Sequence, residues 1–476
     1  MTDRTMLLWD EPDGRAPGWS AATRGSLEAH IGIPRADWTA DDLVRFARGR
    51  GIRVVSLMHG GGDGWLKTLD FVPRSDAHLL DILQGGERAD GSSLFAGLGI
   101  PADASDIVLR PRLQTAFLDP FAAVPTLALL CGHAGRDGKP LAVSPDTIVR
   151  RAYERLHTET GIRLEALGEV EYFLGRRSGE QDVYGSDDRG YHAASPFVFG
   201  QALRRRALVC LSDLGIPVRY GHSEVGYIEA RAPGGLLWEQ HEIELDLLPL
   251  PDAADAVLLT QWVLRNLAHR EGMQCSTEPM MSEAHAGNGL HVHFSPRRRG
   301  THVGGRDDAG RLTDPTRWLV AGLVRCGDAL MAFGNRVPTS FTRVRQGREA
   351  PHAIVWGEYD RSALVRLPML ATTEDGRAVA PPTIEFRLPD GSAHPHLVLA
   401  GAAQAMCDTA EVPAAELDAL LEQTRSGQGD GGRAVPHGFP AVAQALARAR
   451  GVFEAGGVFP TALLERAVES LGGRPA

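Results

Sequence analysis

The chain has 476 residues, and 60 acidic against 50 basic side chains leave a formal charge of -10 with a sequence pI of about 5.9. That balance excludes nucleic acid as the main partner and argues against an anionic membrane surface. Hydrophobic residues at 43% and charged residues at 23% mark a globular chain, long enough for roughly three domain-sized units or fewer large ones.

In chain order, residues 1–38 form an N-terminal extension with Gly and Pro, opening on MTDRTMLLWDEPDGR, which has no apolar h-region. Residues 39–143 form a small strand-rich first domain. Within it DDLVRFARGRGIRVVSLMHGGGDGWLKTLDFVP reads as helix, strand, turn and strand, and DIVLRP, TAFLDPF and TLALLCGHA supply further short strands. Residues 144–476 form the larger unit. Ser144 caps a helix over SPDTIVRRAYERLHTETG that Gly161 closes. Strands then alternate with helices to about Asp408, and GQGDGGRAVPHG is a linker before two Ala- and Leu-rich helices. No run is long enough to span a bilayer. Cys131, Cys210, Cys275, Cys326 and Cys407 form no CxxC pair, so reduced thiols in a cytoplasmic protein are expected.

Alternation carries the chemistry. In EAHAGNGLHVHFSP, His291, His293 and Ser295 fall on one face of an extended strand. GEVEYF does the same with Glu169 and Glu171, WEQHEIEL with Glu242 and Glu244, and PTIEFRLPD with Glu385 and Arg387; GHSEVG adds Glu224. A solvated antiparallel face explains any single pair. Several such pairs in one chain point instead to a site where cations offset the repulsion. Carboxylates with one or two imidazoles suit Mg²⁺ or Mn²⁺ rather than a thiolate zinc centre. Arg343, Arg345, Arg361 and Arg366 supply charge for phosphate, yet no Walker A motif or kinase signature is present.

These stretches resemble the glutamine synthetase family along nearly the whole chain: EVEYF for its paired-glutamate strand, GNGLHVHFS for its glycine loop, GREAP for its flap, then DRSALVRLP, TIEFRLPDGSAHP and, early on, DGSS and TAFLDPFAAVPTLAL. The resemblance implies an α+β fold, with a β-grasp first domain and a catalytic domain whose antiparallel strands form a funnel. It implies homo-oligomeric rings, stacked as a dodecamer, with active sites shared between neighbours. ATP, glutamate-like acid and amine would be the small-molecule substrates. One metal would sit on Glu171, Glu224 and Glu242, the other on Glu169, His291 and Glu385. His293, Ser295 and Arg366 would contact ATP, and Arg361 the transferred phosphate. Arg343, Arg387 and Gly287 would hold the acid. Asp90 from the adjacent subunit and Glu349 of the flap would bind and deprotonate the amine, beside Tyr191.

The chain departs from the family pattern at Ala286 (asparagine), Asn288 (serine), Glu278 (lysine) and Thr383 (arginine). The spacing from Glu224 to Glu242 is longer than usual, so that Glu229 or Glu239 could replace Glu224 as a ligand. CDTAEVPAAELDALLEQT shows no adenylylation-type tyrosine. Changes around the acid and amine pockets, with metal and phosphate positions kept, favour an ATP-dependent ligase that forms a γ-glutamyl amide from an organic amine. Ordinary glutamine synthesis with ammonia is the first alternative, and a catalytically silent regulatory or assembly homologue the second. Leu236, Leu237 and Trp238 would cover the carbon part of the amine or pack a surface loop.

Overall fold

Period-two burial organises the first sheet of the computed structural model, which describes residues 26–96, 100, 105–179, 190–230, 234–346, 348–427 and 432–474. Its strands are β1 (Val54–Gly60), β2 (Leu66–Phe71), β3 (Glu87–Asp90), β4 (Asp106–Pro111), β5 (Phe117–Leu118) and β6 (Thr126–Ala134). They run in the order β2-β1-β6-β4-β3, with β5 beside β6; β1 and β6 are parallel and their neighbours antiparallel. Val55, Leu57, Leu127 and Leu129 point into one small core with Leu79, Leu83 and the helix Ala40–Gly49. Met58, Ala128 and Leu130 point the other way, into the core of the larger unit. Both faces of the central strands are therefore covered, which is why β1 and β6 are apolar almost throughout.

The second sheet has eleven strands. They are β7 (Arg163–Arg177), β8 (Val218–Ile228), β9 (Leu236–Leu245), β10 (Leu248–Pro249), β11 (Gln274–Ser276), β12 (Leu290–Arg298), β13 (Thr301–His302), β14 (Ala353–Glu358), β15 (Ala363–Leu367), β16 (Ile384–Phe386) and β17 (Arg433–Ala434). The order is β17-β14-β15-β16-β12-β7-β9-β8, and the sheet curls into a half-barrel. The fold is α+β, as expected. One pairing departs from an antiparallel funnel: β14 and β15 are parallel. Val170, Tyr172, Ile243, Val292, Phe294 and Phe386 on its outer face enter a core shared with the helices Leu250–Arg270, Asp314–Gly334 and Pro395–Ala410.

Two local readings are corrected by packing. Residues 26–38 are not a loose extension: Leu27 and Trp38 are buried in the first sheet's core. Residues 1–25 lie outside the described set, as do parts of the stretch before β9, of the flap and of the late linker (231–233, 347 and 428–431). The helix Pro145–Thr160 starts and ends where proline and Gly161, at φ 72°, place it, but Ser144 makes no cap hydrogen bond. Its Oγ lies 2.8 Å from His133 Nδ1 instead, and His133 Nε2 lies 3.0 Å from His59 Nδ1. A second tie joins the units where Arg112 donates to Asp255 Oδ2 at 2.7 Å. No described helix is long and apolar enough to cross a membrane.

Leu27→Ala should lower the free energy of unfolding by about 2–5 kcal/mol, the usual cost of truncating a fully buried leucine. Denaturant titration measures it, and a detachable segment would leave the midpoint unchanged.

Candidate active site

The inner face of the curled sheet is a set of cross-strand rungs. His222 on β8 stands opposite Glu242 on β9, which stands opposite Glu171 on β7. On the next rung Tyr220 faces Glu244, Glu244 faces Glu169, and Glu169 faces His291 on β12. A third runs from His293 through Glu385 on β16 to Arg366 on β15. Two glutamate pairs thus lie directly opposite each other, an arrangement that destabilises a bare sheet. They line a cavity of about 300 Å³.

Charge divides that cavity into two halves. On one side Glu169 takes His291 Nδ1 at 2.8 Å and His293 Nε2 at 3.0 Å, while Glu385 accepts from Arg366 at 2.8 Å and from Arg387. Burial works against charge there, but His293 and His291 hold the Glu169 carboxyl well below its ordinary range. Burial likewise opposes the His293 cation, and Glu169 nevertheless pushes it up to about 9. On the other side positive charge is scarce among the described residues: Arg219 pairs with Glu244, while Glu242 and Glu224 have the His222 imidazole 3.1 and 3.6 Å away. Burial, then Glu171 and Glu242, push Glu224 up to about 8; burial, then Glu169 and Glu171, push Glu242 well above the usual range. Glu244 rises to about 7 through burial and Glu169, despite an ion pair with Arg219.

The structure brings most of the expected residues together. Glu169, Glu171, Glu224, Glu242, Glu385, His291, His293, Arg361, Arg366, Arg387, Glu349 and Tyr191 all line the cavity. Asp90, Arg343, Gly287 and Ser295 do not. Arg343 lies just beneath, fully surrounded, its guanidinium donating to the carbonyl of Leu388 at 3.1 Å and 3.4 Å from His291 Nε2. Ser295 shares the strand face of the two histidines but is buried deeper, donating to Pro382 O at 3.1 Å and close to His302. Asp90 caps the helix Gly91–Leu94, and hydrogen bonds from Ser93 and Ser92 hold its exposed carboxyl down at about 2.

The glycine loop is a close-packed hinge between strand and floor. A Cβ on Gly287 would sit 2.1 Å from Pro279 O, and one on Gly289 would sit 2.6 Å from the His291 ring. That approach lets the Gly289 N–H donate to Glu171 at 2.7 Å, where Gln240 donates also at 3.1 Å. Asn288 extends the same network: its side-chain Oδ1 accepts from Gln240 Nε2 at 3.0 Å. Thr383 touches His293 Nδ1 at 2.9 Å. Glu239 is spent on structure, accepting from the N–H groups of Phe199 and Gly200 and lying 2.7 Å from His241. Glu224 faces the cavity next to a bulge in β8. Leu236, Leu237 and Trp238 belong to β9 and leave the cavity lining to Met369, Leu370 and Val379.

Sequence reasoning missed His222, two residues from Glu224, and noted Glu244 beside Glu242 without giving it a place in either metal set. Among the described residues, the groups of three whose donor atoms approach within 4.8 Å are Glu169, His293 and Glu385; His222, Glu224 and Glu242; and Glu169, Glu242 and Glu244. They differ from the expected trios in taking His293 for His291 and His222 for Glu171. Buried Glu244 Oε2 has no hydrogen-bond partner among the described residues. Oxygen-rich donors, an orphaned carboxylate oxygen and carboxyls forced toward neutrality all fit hard divalent cations.

The family model for the glutamine synthetase catalytic domain matches residues 142–465. A glutamine synthetase from Methylococcus capsulatus is 28% identical over 472 residues, covering 91% of this chain and 95% of its own. A 3-hydroxylaminophenol mutase from Cupriavidus pinatubonensis is 30% identical over 348 residues, 67% of this chain and 70% of its own. The Plasmodium falciparum glutamine synthetase structure superposes with a TM-score of 0.75 at 18% identity, covering 91% of this chain and 95% of that one.

Stability should depend on pH in a way set by the uncompensated half. Glu224 and Glu244 have folded values of about 8 and about 7 against an ordinary 4.5. The native state therefore holds protons that the unfolded chain has released, and stability falls as pH rises through that window. In EDTA the melting temperature should drop between about pH 5 and about pH 8, and Glu224→Gln should flatten the drop. An unchanged slope in the variant would refute the assignment.

Proposed function

The chain belongs to the glutamine synthetase family, and on that premise we propose that it is an ATP-dependent ligase joining the side-chain carboxylate of glutamate to an organic amine. One observation carries the reading: a single cavity combines crowded acids that are only partly offset by positive charge, the arginines Arg361, Arg366 and Arg387, and half-exposed Tyr191 and Tyr220 at its mouth. Tyr191 stacks on His192 with centroids 4.3 Å apart and meets the edge of His222 at 5.3 Å. Aromatic faces of this kind attract organic ammonium ions, and bare ammonium has no carbon body to pack against them.

A carboxylate is a poor electrophile. Its oxygen attacks the γ-phosphorus of ATP, the bond to the ADP oxygen breaks, and the acyl phosphate now carries a leaving group. Arg361 and Arg366 face the transferring phosphoryl and offset its charge. Arg387, held by the Glu349 carbonyl at 3.2 Å and the Arg361 carbonyl at 3.1 Å, orients the acid at the same wall. Divalent cations on Glu171, Glu224 and Glu242, with His222 beside them, and on Glu169, Glu385 and a histidine of β12, would neutralise phosphate oxygens. The amine gives up a proton to Glu349 or Asp90, its nitrogen attacks the acyl carbon, and phosphate leaves with the C–O electron pair.

We place Asp90 against the cavity of a neighbouring subunit, in a ring-stacked homo-oligomer. The support is its exposure and low pKa, which keep it ionised for a cationic amine, together with its position outside its own chain's cavity. A relative bearing the name of a mutase lies as near in sequence as the glutamine synthetases do, so membership alone does not select the nucleophile.

The decisive measurement is kcat/KM from phosphate release with glutamate, crossed with ammonia, alkylamines, polyamines and aromatic amines. At least one organic amine should exceed ammonia by about tenfold, roughly 1.4 kcal/mol of transition-state discrimination; ammonia winning clearly makes this an ordinary glutamine synthetase, and no turnover with any pair makes it a silent homologue. Glu349→Gln should lower kcat by about 10²–10⁴-fold, as loss of a general base does, with the melting temperature unchanged. Mixing Asp90→Ala with Glu385→Ala protein under subunit exchange should restore activity that neither has alone. A fully active monomer would rule out the shared site.

A further inference from the structure

A second cavity, of about 570 Å³, lies between the turn joining β1 to β2, the segment leading to the glycine loop, and the C-terminal helix Thr461–Gly472. Arg265, Arg336, Arg466 and Arg474 all line it. Among the described residues none of the four forms an ion pair, although the chain as a whole is acidic. Arg265 stacks over Trp65 at 4.3 Å and donates to the Thr277 hydroxyl at 3.3 Å. Arg336 donates to the carbonyl of Asp63 at 2.7 Å, and Arg474 donates to the carbonyl of Arg336 at 3.1 Å. The acids on the lining are engaged elsewhere: Lys67 holds Asp63 at 2.5 Å, and the Thr339 hydroxyl donates to Glu278. Burial lowers the Arg265 and Arg336 values from the ordinary one, and only Cys275 and Asp63 respectively work to raise them. Trp65 remains 54% exposed at the wall.

We propose that this second cavity binds a small polyanion, a molecule bearing two or more carboxylate or phosphate charges on a compact body that rests on Trp65. Guanidinium groups with free N–H donors recognise both oxyanions in bidentate fashion, and cations in a partly desolvated wall gain most from an incoming anion. The site is tied to the active-site floor. Glu278 O accepts from the Asn288 amide at 2.9 Å and Pro279 O from the Asn288 N–H at 3.0 Å, one residue before the Gly289 N–H that holds Glu171. Gly391 closes the same wall so tightly that a Cβ there would sit 1.9 Å from Thr277 O. An anion that draws Arg265 inward pulls on Thr277 and so on the glycine loop.

Calorimetric titration in EDTA with pyrophosphate and with benzene-1,3-dicarboxylate tests this and separates phosphate from carboxylate preference. At least one probe should bind saturably to the full-length protein, and equally to an Arg361→Ala/Arg366→Ala variant. Arg265→Gln and Arg336→Gln should weaken it at least tenfold, and so should Arg466→Glu/Arg474→Glu, whose exposed positions spare the fold. Amide exchange across residues 286–290 should slow when the probe is bound. Absence of binding by both probes, or binding lost with Arg361 and Arg366 and indifferent to the cavity arginines, overturns the site; unchanged exchange overturns its link to the glycine loop.

Discussion

Acid facing acid across a β-ladder is the constraint on which this molecule is built. Glu171 opposes Glu242 and Glu169 opposes Glu244 at directly paired positions. Two charges about 5 Å apart repel by on the order of 3 kcal/mol at the effective dielectric usual in proteins. Neither pair can be fully ionised without external positive charge. The fold supplies most of that charge on one side, through His291, His293, Arg366 and Arg387, and on the other Arg219 reaches Glu244. The asymmetry gives the cavity direction: one half is self-neutralised, and the other waits for cations.

Holding such a face open requires a rigid backing. The outward residues of β7, β9, β12 and β16 alternate with the acids and pack into one large core, so that a one-residue slip of register would exchange glutamate for an apolar side chain. Glu239 shows how acids beside the site are used when they do not face it, bound to backbone N–H groups at the start of the helix Gln201–Asp213. Glu349 adds a local strain: its φ of 57° is left-handed without glycine's freedom, at the wall where its carbonyl meets Arg387.

Much of this was legible because a strand writes its faces into alternate positions. Glu169 with Glu171, Glu242 with Glu244, and His291 with His293 announce a shared face with no knowledge of the fold. What alternation does not encode is which strand lies alongside. That His222 stands opposite Glu242 is therefore seen only once β8 lies beside β9, and that Thr383, noted in the sequence as a departure, touches His293 only once the chain entering β16 runs beside β12. Depth is equally hidden: Ser295 continues the histidine face but ends beneath the cavity, because the strand dives toward Pro382. Ser144 misleads for a related reason. Its identity and position suit a helix cap, yet a buried imidazole nearby competes for the hydroxyl. Leu236 to Trp238 read as an insert, and the pairing of β9 with β7 absorbs them.

The alternation of Met58, Ala128 and Leu130 against Val55, Leu57, Leu127 and Leu129 means that the first sheet lends one face to each of two cores. The buried contacts of Ser144 with His133 and of Asp255 with Arg112 cross the same boundary. Cutting the chain between the units would expose apolar surface on both pieces and orphan polar groups that water could not reach in the intact molecule. Inheritance is bound by the same arithmetic: the first sheet cannot be exchanged among relatives as a cassette, and its inward residues must drift in step with the helices Pro145–Thr160 and Leu250–Arg270 on which they lie.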